Sequence, residues 1–369
     1  MRSPSRRLSV AVAVVAASSL SFTACSKKDA PATTGSGATG TAPAGKDIDY
    51  STLRGTLNGS GSSFQKGFNE AAIGGLKKKA KDLSINYPGG GSSKGKNELA
   101  DQVVDFAGTD SVVKDEDKSK FKGGDILYFP TVAAPITVAF NVKGIDKLSL
   151  TPEVIGKIFQ REIKKWNDPA IAADNAGVAL PDADISAVRR SDGSGTTNNF
   201  TKFLKAAAGD SWKLGSGDTV EWPADTTAGN GNGGVAQAIE STDGAIGYVD
   251  LSDAKAAGLK TASVKNKKGK FVAADLDGAT AALGGAEVKD NLTFDPINAD
   301  GDASYPITSP TWIVIYVKQP DKTKGEALKG MLNYFLTEGQ TFANGVDYAP
   351  LPAALQTKAV AQLDKIVIG

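Results

Sequence analysis

A strand, a glycine–serine turn and a helix follow one another three times in this chain, and this order constrains the fold more than any other feature. The turns are Gly61-Ser62-Ser63, Gly91-Ser92-Ser93 and Gly193-Ser194-Gly195-Thr196. Each follows an apolar run typical of a strand and precedes apolar residues at helical spacing. Alternating strands and helices predict an α/β fold. In open α/β sheets, ligands bind at the carboxyl ends of the strands, where these turns would lie.

The third turn indicates anion chemistry. Residues 185–188 form a strand pattern that leads into Arg190, and the turn opens a helix. The first N–H groups of a helix lack intrahelical partners and lie at its positive end, so they favour an anion. The fork of Arg190 suits two oxygens of a phosphate-like group, and Asp192 would orient Arg190 or cap the turn. The alternatives are ordinary capping by the glycines and serines and a surface position for Arg190.

Asp110 follows a third predicted strand, residues 104–107. A carboxylate only accepts hydrogen bonds, so a protonated phosphate oxygen satisfies it. Sulfate has no proton near neutral pH and would leave the carboxylate unpaired, at a cost of about 1–3 kcal/mol or more. Sites built around such a bond discriminate by roughly 10⁴-fold. The alternative is a loop aspartate that bonds its own backbone.

The composition excludes several other chemistries. The 369 residues suffice for two domains and include no His and a single Cys. Imidazole catalysis, His metal ligation, an internal disulfide and a Cys-based zinc site are therefore excluded. The full chain has 42 basic and 41 acidic residues. Arg2, Arg6 and Arg7 belong to a segment that we expect to be removed, and the remaining chain then has slightly more acidic than basic residues. A nucleic-acid partner is not expected, since such a protein normally shows a basic excess.

The first 24 residues resemble a signal peptide, with three arginines before a short apolar core. Cys25 directly after Thr23-Ala24 resembles a bacterial lipoprotein box, although Phe22 stands where that pattern usually has Leu. We therefore expect lipidation at Cys25, with an ordinary secretory signal and a free thiol as the alternative. Residues 25–46 lack large apolar side chains and would form a flexible tether.

The rest of the chain continues the α/β pattern. Residues 129–141 and 306–317 are long apolar runs, each long enough to cross from one domain to another. Thr151 and Pro152 predict a helix start, and the glycine-rich residues 229–234 open another helix. Residues 253–303 are less informative.

The same residues resemble the high-affinity phosphate-binding protein of the bacterial phosphate ABC importer. The resemblance covers residues 47–369, most weakly at 253–303. Its motifs are Gly59-x-Gly-x-Ser-Phe64, Gly91-Ser92-Ser93, 104–110 (VDFAGTD), 189–196 (RRSDGSGT), 164–168 (KKWND), 244–249 (GAIGYV), 305–309 (YPITS) and 347–352 (DYAPLP). The 189–196 motif is specific, whereas the glycine–serine turns alone are not.

The resemblance implies an α/β, two-lobed type II periplasmic-binding-protein fold with two mixed sheets flanked by helices and joined by two crossing strands. Residues 47–133 and 306–369 would form lobe I, and residues 134–305 lobe II. The implied phosphate ligands are Ser63, Phe64 through its N–H, Ser92, Asp110, Arg190, Ser194, Gly195 and Thr196. Ser63 stands where many relatives have Thr, and it keeps the hydroxyl.

The implied function is to bind inorganic phosphate outside the cytoplasmic membrane and to deliver it to an ABC permease with a cytoplasmic ATPase. We expect a lipid-anchored monomer without cofactor or metal. Two alternatives stay open. A secreted phosphatase needs an activated nucleophile or a metal, and a surface sensor or adhesin would use the same fold without transport.

Overall fold

The computed structural model describes residues 43–369. Its strands are β1 (Arg54–Gly61), β2 (Asp82–Asn86), β3 (Phe106–Thr109), β4 (Ile126–Asn141), β5 (Ser149–Leu150), β6 (Ser186–Arg190), β7 (Thr227–Gly229), β8 (Ala245–Asp250), β9 (Lys260–Thr261), β10 (Ser263–Lys265), β11 (Phe271–Val272), β12 (Thr308–Tyr316), β13 (Lys318–Gln319), β14 (Ala349–Pro350) and β15 (Val367–Ile368). Its α-helices are α1 (Lys66–Lys77), α2 (Ser92–Ala100), α3 (Pro152–Phe159), α4 (Pro169–Ala172), α5 (Gly195–Ala207), α6 (Gly231–Glu240), α7 (Leu251–Ala256), α8 (Leu276–Gly284), α9 (Lys322–Leu336) and α10 (Ala353–Gln362).

One mixed sheet of ten strands organises the chain, in the order β2-β1-β3-β12-β4-β8-β6-β7, with β9 and β14 also paired to β4. The pairs of β1 with β2 and β3, and of β6 with β7 and β8, are parallel. The pairs that β12 and β8 form with β4 are antiparallel. The two mixed sheets predicted from the sequence are thus joined along β4 into one hydrogen-bonded path.

The strand β4 belongs to both halves of this sheet. Its residues up to Pro135 pair with β12, and its residues from Ile136 onward pair with β8. Every residue of β4 between its two ends is buried, which explains the unbroken apolar run in the sequence. The exchange at Pro135 and Ile136 lies near the predicted lobe boundaries at 133/134 and 305/306. The division into two lobes stays a prediction, and we call β2-β1-β3-β12 the first half of the sheet and β8-β6-β7 the second half.

The predicted helix starts are confirmed by their caps. The side chain of Thr151 accepts a hydrogen bond from Val154 N, with Pro152 in the first turn of α3. The side chain of Ser194 accepts one from Thr197 N at the start of α5. These caps satisfy N–H groups that a helix terminus otherwise leaves unpaired.

Three sequence predictions were wrong in detail. The spacing of Leu99, Val103 and Val104 predicts that the helix after the second turn has all three on its inner face, but α2 ends at Ala100 and Val103 is 66% exposed. The following strand starts at Phe106 rather than at 104, because residues 101–105 form the turn that leads into it. Lys46, the last residue of the predicted tether, is already part of the folded body, since its N–H and ammonium bind Asn333 and Asp364.

Residues 253–303, which the sequence left open, carry β10 and β11 of a three-stranded sheet completed by β5, and also α8. One large apolar cluster spans both halves of the ten-stranded sheet, and a smaller one packs α6 on β6 and β8. Within residues 43–369, no helix is long and apolar enough to cross a membrane.

Candidate anion-binding site

The three glycine–serine turns meet at one place in the fold. Gly91 N donates to Gly61 O at 2.7 Å, which joins the first turn to the second. Ser93 N donates to Gly193 O at 3.1 Å, which joins the second turn to the third. Turns that lie more than a hundred residues apart in the chain therefore form one continuous surface at strand ends.

Two glycines are required for this close approach. A Cβ on Gly91, where φ is +93°, would meet the Asp192 carboxylate and Gly193 O. A Cβ on Gly195 would meet Ser92 Oγ and the Asp110 side chain. Gly195 is the first residue of α5 in the second half, so the helix N-terminus points at the Asp110 side of the site.

Asp110 is the buried carboxyl of the site, with 1% exposure. Its two oxygens accept hydrogen bonds from Ser62 Oγ at 2.5 and 2.7 Å, and Oδ2 lies 3.4 Å from Ser92 Oγ. Burial raises the pKa of Asp110 to about 7, although the Ser62 hydrogen bond and the charge of Arg190 act to lower it. The carboxyl therefore exchanges a proton near neutral pH.

Arg190 is the buried cation of the site, with 3% exposure. Its Nε donates to Asp192 Oδ1 at 2.7 Å, and its Nη2 donates to the other carboxylate oxygen. Its Nη1 donates to Thr196 Oγ1 at 3.3 Å. Burial acts to raise the pKa of Asp192, but the bonds from Arg190 and from Gly231 N hold it below its usual value. Asp192 thus stays ionised and holds the guanidinium in place, which is one of the two roles that the sequence left open for it.

The remaining predicted ligands lie in the same cluster. Thr196 and Ser63 are linked through Asn232, whose Nδ2 donates to both hydroxyls at 3.2 and 3.1 Å. Phe64 N donates to Ser62 Oγ at 3.0 Å. Ser194 is fully buried at the start of α5. The structure therefore brings together all eight residues that the sequence pointed to, although their binding roles stay predictions.

The comparisons with known proteins identify the family of this chain. Residues 38–338 match the model of the PBP superfamily domain. The phosphate-binding protein PstS of Pasteurella multocida is 34% identical over 315 residues, which cover 83% of this chain and 89% of that protein. The phosphate-binding protein PstS 3 of Mycobacterium tuberculosis is 32% identical over 370 residues, covering 98% and 99% of the two chains. This chain belongs to the PstS family of phosphate-binding proteins.

Solved structures confirm the type II periplasmic-binding fold of this PstS-family chain. A phosphate-binding protein from Stenotrophomonas maltophilia matches with a TM-score of 0.66 at 22% identity, over 84% of this chain and 94% of that one. A high-affinity periplasmic phosphate-binding protein, solved with phosphate bound at pH 8.5, matches with a TM-score of 0.71 at 20% identity and the same coverage. At such identities the likeness establishes the fold.

The sequence missed four residues of this PstS-family site. Ser62, rather than the adjacent Ser63, bonds the Asp110 carboxyl. Asn232 and Asn199 bridge elements, since Asn199 Nδ2 donates to Asp110 O and to Ser309 Oγ at 2.8 Å. Tyr248 OH accepts from Arg190 N at 3.1 Å. Asn232 had a signal, because it lies in the glycine-rich loop that opens α6. Asn199 had none, because its partners Asp110 and Ser309 lie 89 and 110 residues away.

Among the described residues, no group of three or more His, Cys, Asp or Glu side chains is placed to hold a metal ion. The arrangement offers one guanidinium, one titrating carboxyl, several hydroxyls and the N-termini of α2 and α5. Those groups suit a small oxyanion that can also donate a proton.

Proposed function

We propose that this chain binds inorganic phosphate outside the cytoplasmic membrane and delivers it to an ABC permease for import. The observation that carries the proposal is that one buried cluster contains both the Arg190 guanidinium and the Asp110 carboxyl. A guanidinium alone would accept any oxyanion. In its ionised form the carboxyl only accepts hydrogen bonds and so adds a requirement for a proton on the ligand, which phosphate meets and sulfate does not.

The ligands would come from both halves of the sheet. Ser63, Phe64 N, Ser92 and Asp110 would reach the anion from the first half, and Arg190, Ser194, Gly195 N and Thr196 from the second. The hydroxyls of Ser63, Ser92 and Thr196 bond neighbouring side chains, and they can rotate toward an anion. Neutral donors and helix N-termini then spread the charge without a cluster of ammonium groups.

The two halves would act as lobes I and II, with the boundaries predicted above. The turns of the first half touch the third turn of the second half directly at Gly91 and Gly195. An anion held between them would be contacted on all sides and lose its hydration shell. Binding and closure would therefore be one event, and a permease would distinguish the closed form from the open one.

The decisive experiment is isothermal titration calorimetry of the purified, phosphate-free protein with phosphate and with sulfate. We expect tight binding of phosphate and an affinity for sulfate lower by at least about 10³-fold, since the unpaired carboxylate discriminates strongly. Equal affinities for the two anions, or no binding of phosphate, would contradict the proposal.

We infer binding rather than hydrolysis. One observation favours the second candidate, a phosphatase, because Ser62 Oγ is hydrogen-bonded to a carboxyl that could act as its base. The same bond instead serves a binding site by keeping the Asp110 oxygens satisfied. An assay with a chromogenic phosphate ester distinguishes binding from hydrolysis. Turnover by the wild type that disappears in Ser62→Ala would establish a phosphatase.

We further propose that the bound phosphate is passed on for transport, and that the protein does not serve as a sensor or an adhesin. We expect the protein to act as a monomer that docks on two permease subunits coupled to a cytoplasmic ATPase. Deletion of the chain should abolish high-affinity phosphate uptake by cells at low phosphate, and restoration of the chain should recover it. Unchanged uptake in the deletion strain would favour a sensor or adhesin.

The predicted signal peptide over residues 1–24 and the predicted lipidation of Cys25 lie outside the described residues. We propose that the lipid anchors the protein to the outer face of the membrane, with a tether that ends before Lys46. Cys25→Ser should release the protein from the membrane fraction into the soluble extracytoplasmic fraction. Retention of that variant in the membrane fraction would contradict the anchor.

A further inference from the structure

Beside the anion-binding cluster, an ion pair joins the two halves of the sheet. Lys96 Nζ lies 2.8 Å from Asp218 Oδ2, and the two side chains are only 16% and 15% exposed. Lys96 is on α2, which packs against β1 and β3 of the first half. Asp218 lies between α5 and β7, which belong to the second half. This pair therefore links segments on opposite sides of the site.

Asp218 holds residues next to the predicted phosphate ligands. Its carboxylate accepts from Ser93 Oγ at 2.7 Å and from Asn198 Nδ2 at 3.0 Å. Its main-chain carbonyl accepts from Ser194 N at 2.8 Å. Ser93 follows the predicted ligand Ser92, and Ser194 is itself a predicted ligand, so one residue contacts the N-termini of both α2 and α5.

Lys96 holds the opposite edge of the same region. Its ammonium also donates to Ser111 Oγ at 2.9 Å, directly after Asp110. Burial acts to raise the pKa of Asp218, but the Lys96 charge and its hydrogen bond hold it below the usual value. The carboxylate is thus ionised at neutral pH and fully paired. This distinguishes the pair from surface ion pairs such as Lys122–Asp101, where both side chains are more than half exposed.

The bonds from Lys96 and Ser93 to the Asp218 carboxylate cross from one half to the other, so they can exist only when the two halves lie against each other. If the halves separate to admit an anion, Lys96 and Asp218 part and each returns to water. The pair therefore stabilises only the closed form. It should slow the dissociation of a bound anion and should have little effect on the rate of association.

We propose that Lys96 and Asp218 form a latch that closes with the two halves and sets the rate at which phosphate leaves. The latch rests on the proposed phosphate-binding function and adds to it two positioning residues that do not contact the anion. Removal of either charge should speed dissociation while the ligand set stays intact.

The test measures phosphate association and dissociation by stopped flow in wild type, Lys96→Met, Asp218→Asn and the double variant. Each single change should raise the dissociation rate on the order of tenfold, with a much smaller change in the association rate. The double variant should dissociate no faster than the faster single variant, because the two residues act as one unit. Lys122→Met is the matched control and should leave both rates unchanged.

Thermal unfolding separates a latch from a structural ion pair. In phosphate-free buffer the midpoint of unfolding should change little in the variants, whereas with saturating phosphate it should fall. Equal losses with and without phosphate, or single-variant dissociation rates within twofold of wild type, would overturn the latch. Should Asp218→Asn fail to fold, Lys96→Met alone decides by the same criteria, since it keeps the apolar stem of the side chain. Failure of the wild type to bind phosphate would instead refute the proposed function.

Discussion

Asp110 and Asp192 lie in the same buried cluster, and their carboxyls respond to it in opposite directions. Asp192 receives two bonds from Arg190 and one from Gly231 N, and its pKa falls. Asp110 receives hydroxyl donors and lies farther from the guanidinium, so burial dominates and its pKa rises to about 7. Asp192 therefore fixes the cation in place, and in the proposed function Asp110 would test the ligand for a proton.

The comparison teaches that burial alone does not decide the charge of a carboxyl. A charged fork that bonds both oxygens overcomes desolvation, whereas a neutral hydroxyl does not. In the proposed function the first half of the sheet would thus supply selectivity for the anion, and the second half would supply attraction. Four experiments test this division, in order of decreasing expected effect.

Removal of the cation should have the largest effect. We expect Arg190→Ala to weaken phosphate binding by about 10³-fold or more, because it also leaves Asp192 buried without its partner. Calorimetry measures the loss. Arg189→Ala is the control, since the Arg189 side chain donates to Thr226 Oγ1 and to the main-chain carbonyl of Arg190. This variant should change the affinity by only a few-fold. Similar losses in the two variants would refute the special role of Arg190.

Neutralisation of the two carboxyls should have different consequences. Asp110→Asn should reduce the phosphate-over-sulfate preference by about 10²-fold, because the amide can donate to an unprotonated oxyanion. Asp192→Asn should lower the affinities for phosphate and sulfate by the same factor, since it disturbs the orientation of Arg190. Competition titrations with both anions measure the ratio. The division between the two carboxyls fails if both variants leave the ratio unchanged.

The pH dependence of stability should separate the same two groups. The folded-state pKa of Asp110 lies above its unfolded value, so its contribution is greatest at low pH and is lost as the pH rises toward about 7. Asp192 has a lowered pKa, and its contribution is lost only below the ordinary range of an aspartate. Between pH 5 and pH 8, the free energy of unfolding of the phosphate-free wild type should therefore fall by about 2 kcal/mol relative to that of Asp110→Asn.

Denaturant melts of wild type and Asp110→Asn at both pH values measure that difference. The variant serves as the reference because it also contains Asp250, whose pKa is raised by burial and by Asp253. Most of the effect of Asp250 therefore cancels, except for the smaller part of its pKa shift that the Asp110 charge itself causes. A constant stability difference across this range would show that Asp110 does not titrate there.

The contact between the halves should be sensitive to one methyl group. Gly195→Ala places a Cβ against Ser92 Oγ and Asp110, so we expect phosphate affinity to fall about tenfold through strain in the closed form. Gly74→Ala is the matched helical control, because its Cβ would meet nothing within 4 Å. That control should leave the affinity unchanged and stabilise the fold slightly. Wild-type affinity in Gly195→Ala would show that the halves do not close this tightly.

Much of the site was readable because its parts are local in sequence. The 189–196 run contains the cation, its partner Asp192, the helix cap Ser194 and the close-approach residue Gly195. The strand β4 was recognisable in the sequence as an apolar run, since a strand buried on both faces lacks the alternation of polar and apolar residues. The choice between Ser62 and Ser63 could not be read, because both hydroxyls precede α1 and only the backbone geometry of the turn directs one to Asp110.

The amino-acid sequence by itself determined the α/β class, the position of the turns, the helix caps and the residue types of an anion site, because these follow from spacing and local hydrogen bonding. Only the tertiary structure decided the contacts among Asn199, Asn232, Asp218 and Lys96, since they join segments distant in the chain. Only it decided the opposite pKa shifts of Asp110 and Asp192, because a protonation state depends on burial and on partners that no short motif contains.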